Sequence, residues 1–338
     1  MNRPGSNRAF TLLELLVAAV ITLMLAGLVL AVSTGALDLW RRTQGDSTAM
    51  AEAVAALDMM ERDLQAALHQ PDGRRWLAVS VANDVSALAN RGWLTTGAVR
   101  HKPAAPDRLR LWPEPGATGQ RRPADARFGL TGAWLRFFTL SAESAGEAGG
   151  MSLPRAVAYQ IARRPVRGPV AAGNPAATRY QLYRSAVTVE TTMTAGYSIT
   201  ATAYGSTGNN PAAQRAASTI MNPNSLDVLA TNVIDCGVWL YARESDGGLR
   251  LLYPADPGDL VHEVVGGVLP PDAERMPTVA DLVLRVLTEE GATRLAALEA
   301  GLVARPAGFA NDAAWWWAVA EAHSRVLVRR VEVKGGGR

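Results

Sequence analysis

Hydrophobic positions follow three regimes along this chain. From Phe10 to Leu37 they are nearly continuous. Leu15 to Leu37 is 23 residues without a charge, and only Glu14 stands at the leading edge of the run. About 20 helical residues span the hydrocarbon of a bilayer, so this length predicts a membrane-crossing helix. From Asp46 to Leu68, in "DSTAMAEAVAALDMMERDLQAAL", polar residues return and Pro is absent. Met50, Val54, Leu57, Leu64 and Leu68 recur at helical spacing and form one apolar stripe, with Asp58, Arg62 and Asp63 off it. Glu61 falls near the stripe and is expected to hold its carboxylate at the flank. "QPDG" at 70–73 should end the helix, and Gly35 and Gly45 are places where it could bend.

Beyond residue 70 the period changes to two. "RLRLW" (108–112), "AWLRFFTL" (133–140), "AVAYQIARR" (156–164) and "YQLYRSAV" (180–187) alternate or carry aromatics, as strands do. "NVIDCGVWLY" (232–241), "TVADLVLRVL" (278–287) and "SRVLVRRVEV" (324–333) follow. In the first of these, Ile234, Cys236, Val238 and Leu240 share a face. In the second, Ala280, Leu282, Leu284 and Val286 oppose Asp281 and Arg285. "TEEGATRLAAL" (288–298) predicts a short helix capped by Thr288. Stretches rich in Gly, Ala and Pro at 113–126, 141–154, 165–178 and 204–214 read as surface connections. The expected plan is α+β: a long N-terminal helix packed on an antiparallel sheet head with long loops. Its segments are a leader at 1–9, a transmembrane stretch at 10–37, a helix continuing into the head at 38–69, and the head at 70–338.

Composition narrows the chemistry. With 48% apolar and 19% charged residues, a sizeable core can form. The net charge of +3 owes two units to Arg3 and Arg8; without residues 1–9 the balance is 32 basic against 31 acidic. Arginine pairs are scattered, which argues against a nucleic-acid surface. The one cysteine, Cys236, excludes an intramolecular disulfide and reads as a buried thiol on its strand. His69, His101, His262 and His323 are dispersed without metal-ligand spacing. Phosphate-binding glycine loops and the G-x-S-x-G elbow are absent, so no catalytic, cofactor or metal residues are nominated and a non-enzymatic protein is expected. Trp315, Trp316 and Trp317 cannot all face inward on one helix; one or two should plug the sheet, the sharper alternative being a contact surface for a neighbouring subunit.

Three readings compete for the N-terminus. A cleaved secretory signal fits the basic start and the small residues of "STGA" (33–36), but the apolar run is long for one. A plain anchor fits the length, and Arg3 and Arg8 place its N-terminus in the cytoplasm. Neither accounts for Glu14. An acidic residue in a span costs energy even near its end, so a retained carboxylate calls for a partner.

"RAFTLLELLVAAV" resembles the signature of type IV prepilins and of the pseudopilins of type II secretion systems. In those families a prepilin peptidase cuts a short basic leader before a Phe, the new α-amino group is methylated, and a Glu occupies the fifth mature position. The resemblance implies cleavage between Ala9 and Phe10, with Ala9 standing where Gly is usual. It makes Glu14 the assembly residue that meets a positive N-terminal amine inside the membrane. It also implies other pseudopilins or pilin-like subunits, an inner-membrane assembly platform and the lipid bilayer as partners, without cofactor, nucleic acid or small-molecule substrate. The head would lie in the periplasm or exterior of a single-pass inner-membrane protein.

"TAMAEAVAALDMMERDLQAAL", "LATNVIDCGVWLYA", "MPTVADLVLRVLTEEGATRL" and "SRVLVRRVEVKG" extend the resemblance to the J-type minor pseudopilin plan. They are more similar still to the Verru_Chthon cassette protein C family. Two other functions stay open on the residues alone. A DNA-capturing minor pilin would need a basic stripe, and an anchored binding protein that never assembles would leave Glu14 without a task.

Overall fold

The computed structural model describes residues 12–82, 102–103, 126–140, 153–167, 177–200, 204, 220, 223, 226–255, 259–266 and 275–334. The expected leader, Phe10, the strand at 108–112, His101 and most of the Gly/Pro-rich connections lie outside them. The chain divides into two units after Ser47. Helix α1, Leu12–Gln65, begins in the first and ends in the second, and Gly35 and Gly45 both lie within it. In the first unit every residue from Leu12 to Leu37 is exposed.

In the second unit the buried line keeps Leu57 and Leu64 of the expected stripe but runs through small residues on its N-terminal side. Ala49, Ala53, Ala56, Leu57, Met60, Asp63 and Leu64 are buried, whereas Val54 is exposed. The stripe is set by small residues because they let a helix axis come close to a sheet; Val54 lies off that line and faces water. α1 stops at Gln65, before "QPDG", because the chain joins a sheet there. Ala67 bridges Thr139, and the amides of Leu68 and Leu140 donate to Phe138 and Ala66 carbonyls at 2.9 and 3.1 Å.

Among the described residues ten strands follow: β1 Arg75–Ser80, β2 Trp134–Thr139, β3 Arg155–Pro165, β4 Thr178–Ala186, β5 Val228–Thr231, β6 Val233–Arg243, β7 Leu249–Tyr253, β8 Val261–Val265, β9 Val279–Leu287 and β10 Ser324–Glu332. They form two antiparallel sheets, ordered β5-β4-β3-β2-β1-β8 and β10-β9-β6-β7. Six of the seven expected strands are present, and the α+β expectation holds with two sheets in place of one.

Alternation places a different core on each face of the larger sheet. Leu77, Val79, Leu135, Phe137, Val157 and Tyr159 pack with the helix stripe and with Cys236, Val238, Leu240, Leu282 and Leu284 of the smaller sheet. The intervening Trp76, Ala78, Trp134, Phe138, Ala156 and Ala158 pack beneath Val187, Ile199, Tyr204 and Ile220. The smaller sheet is also covered on its second face, so Asp281 and Arg285 are buried rather than solvated. Phe128 lies directly over Gly237, where any Cβ would strike its ring.

Among the described residues the head also has three short helices. α2, Val189–Ala195, and α3, Glu289–Glu299, start at Thr188 and Thr288, whose hydroxyls accept the amides of Thr191 and Gly291. α4, Asp312–Ala322, starts at Asn311, whose Oδ1 accepts the Ala314 amide at 2.8 Å. Trp316 and Trp317 are buried edge to face with centroids 5.1 Å apart, while Trp315 is half-buried. Trp316 Nε1 donates to Glu299 Oε1 at 2.9 Å, and Trp317 Nε1 donates to the Pro103 carbonyl. Two of the three tryptophans therefore plug the head, as expected.

Candidate functional site: the N-terminal helix

Glu14 is the acidic residue of the first turn of α1, where a negative charge complements the helix dipole. Around it the helix is apolar on every side. Leu12, Leu13, Leu16, Ile21, Leu25, Leu28 and Leu30 are all more than half exposed. The stretch Leu12–Leu37 is long and apolar enough to cross a membrane. Its hydroxyls are turned back onto the backbone: Thr22 donates to the Ala18 carbonyl at 2.8 Å and Thr34 to the Ala31 carbonyl at 3.0 Å. In hydrocarbon an unsatisfied donor costs several kcal/mol, roughly, so these bonds make the polar side chains compatible with lipid. Ala9 and Phe10 lie outside the described residues.

The head half of α1 is held by acids that the sequence pattern leaves unassigned. Asp63 is buried and takes Arg184 on both oxygens, Nε at 2.8 Å and Nη2 at 3.2 Å. The Tyr159 hydroxyl donates to the same carboxylate at 2.5 Å, and Thr139 Oγ1 donates to the Asp63 carbonyl at 2.8 Å. Burial, followed by the Asp63 charge, raises the Tyr159 phenol well above its usual range and keeps it a donor. Glu52 Oε2 accepts from the amide and hydroxyl of Thr231 at 2.9 and 2.7 Å. Glu61 holds its carboxylate at the flank, where with Asp58 it binds Arg329, at 2.6 and 2.9 Å.

Asp63 lies off the stripe of large apolar residues. Spacing by four from Ala49 and Ala53, then by three or four through Met60, would have found it.

The remaining candidates do not converge. His69 is half-buried, and burial, opposed by Asp72, lowers its pKa. His262 is buried, and burial pushes its imidazole down to about 4. His323 is the C-cap of α4. Cys236 is buried and its thiol is pushed up to about 12, first by burial and then by Asp235, which makes it inert as a nucleophile. Among the described residues no group of three or more His, Cys, Asp or Glu is placed to hold a metal.

No curated protein and no solved structure matches the chain. Residues 5–30 match the family described as the prokaryotic N-terminal methylation motif. That motif implies processing by a prepilin peptidase and assembly with other pilins. Together with one exposed apolar helix and an antiparallel head, it supports a membrane-anchored, type IV pilin- or pseudopilin-like subunit, structural rather than catalytic.

Proposed function

We propose that the chain is a minor pseudopilin or pilin-like subunit, of the J-type plan and similar to the Verru_Chthon cassette protein C family. It is made as a precursor and cut between Ala9 and Phe10. Phe10 is then methylated, and the subunit is extracted from the inner membrane into a pseudopilus or pilus tip through an assembly platform. Glu14 pairs with a positive N-terminal amine, its own or a neighbour's. A carboxylate in hydrocarbon is tolerable only when paired, so the pair selects helix register during assembly. The head faces the periplasm or exterior, and its long connections between strands crowd a repeated lattice more than a tip.

The observation that carries this reading is the match at residues 5–30, with Glu14 four residues after Phe10. Mass spectrometry of the native N-terminus tests it. The expected result is N-methylated Phe10. An intact Met1, or a first residue near Leu37, would overturn it.

A further inference from the structure

Of the 34 basic residues only Lys102 and Lys334 are lysine; all the others are arginine. Where this head buries a cation it uses arginine, at Arg155, Arg164, Arg184 and Arg285 among others, with Lys102 the exception. The difference is chemical as well as geometric. A guanidinium stays charged and is a poor nucleophile, whereas an amine loses its proton when desolvated and can then attack a carbonyl carbon.

Lys102 Nζ lies 2.5 Å from Asp235 Oδ1, with the two side chains 1% and 4% exposed. Asp235 is fixed near the start of β6, opposite Arg285 of β9. Its carboxylate is clasped by two backbone amides, Phe128 N to Oδ2 at 3.0 Å and Cys236 N to Oδ1 at 3.1 Å. The Trp317 ring stands 5.2 Å from Nζ, so the wall beside the amine is aromatic.

We propose that Lys102 and Asp235 condense within the folded head to form an intramolecular amide, which staples residue 102 covalently to β6. An oxygen at hydrogen-bond distance from Nζ puts Cγ within about 3.5 Å of it, the range of a near-attack arrangement. The Nζ lone pair attacks Cγ, the Nζ–Cγ bond forms and the Cγ–Oδ1 bond breaks. One proton passes from the ammonium to Oδ1 before the attack and a second from the attacking nitrogen after it, and both leave on Oδ1 as water, so atoms and charge balance and no oxidant or reductant is needed. Negative charge developing on Oδ2 meets the Phe128 amide, an oxyanion-hole role, and the Arg285 charge acts on the pair from across the strand. Burial also lowers the amine pKa and raises that of the carboxyl, favouring the neutral amine and acid that react. The product removes a buried ion pair, whose desolvation is costly. It also supplies the covalent tie that a chain with a single cysteine cannot obtain from a disulfide.

Peptide mass spectrometry of the folded full chain, purified in detergent and digested with trypsin, tests the amide. The expected product joins peptide 101–108 to peptide 216–243 and is lighter than the two together by one water. In Lys102→Met this species, and the faster migration of a looped chain on a denaturing gel, should both be lost. Recovery of the two peptides separately, at full mass, from folded protein overturns the proposal. So does loss of water from peptide 216–243 alone, which marks a succinimide at Asp235, or a water loss that persists in Lys102→Met. The wild-type digest decides between these outcomes even if the variant fails to fold.

Discussion

The two halves of α1 solve opposite problems with the same backbone. From Leu12 to Leu37 the side chains are large, apolar and exposed all round, and the threonine hydroxyls are folded back onto their own carbonyls. From Thr48 to Gln65 the buried line is made of Ala49, Ala53, Ala56, Leu57, Met60 and Leu64, and acids at 52, 58, 61 and 63 each hold a particular partner. A surface made to be embedded in lipid needs bulk and no donors. A surface made to sit on one sheet in one register needs small residues and a few charges that fit nowhere else. Damage to the two halves should therefore be separable.

The largest expected effect is Glu14→Ala, which on the proposed reading abolishes incorporation into filaments while membrane insertion and head unfolding stay as in the wild type. Comparing sheared filament fractions with membrane fractions measures it, and a parallel loss of head stability would erase the distinction between the halves. Next comes Asp63→Ala, which leaves Arg184 and Tyr159 buried without their acceptor and should cost the head about 3–5 kcal/mol in denaturant unfolding. Leu64→Ala, in the same turn, should cost about 2–5 kcal/mol through the cavity it leaves.

A pH titration probes the head alone. Because burial holds His262 near 4 in the folded state, the unfolded chain takes up the proton first as pH falls below its ordinary value of 6.5. Stability should therefore be complete above pH 6.5 and decline as pH falls towards 4. The loss should be on the order of 2–3 kcal/mol, since each tenfold difference in proton affinity between the two states is worth roughly 1.4 kcal/mol. Unfolding midpoints of wild type and His262→Gln at neutral and acidic pH should converge at the acidic end. The smallest effect is Arg329→Ala, at about 1 kcal/mol or less, because its pairs with Asp58 and Glu61 are partly solvated.

The contrast between the halves also explains what could be read from sequence. The membrane stretch was legible because continuity needs no partner to be recognised. Strands β2, β3, β4, β6, β9 and β10 were legible because β-branched and aromatic residues alternate over eight or more positions. β1, β5, β7 and β8 were not, since runs of four to six residues carry too little pattern. The helix stripe is legible at Leu57 and Leu64, which are buried; Val54 is the exception, and the alanines at 49, 53 and 56 that complete the buried line carry too little hydrophobic signal to be singled out by size. Asp63 went unrecognised for a related reason. Its partners, Tyr159 and Arg184, come from strands about a hundred residues away, and no local rule brings them together.

Asn232 alone separates β5, an edge strand of one sheet, from β6, a central strand of the other, and its φ of 59° is left-handed. Its carbonyl accepts the Leu287 amide at 2.8 Å and its side-chain amide donates to Glu289. A connection this short costs almost nothing to close, whereas the successive strands of the larger sheet are joined by longer loops. Docking of the two sheets is thus encoded in the handedness of one residue, which favours an early place for this corner in the folding order. Glycine should preserve that timing, and a β-branched residue should slow it.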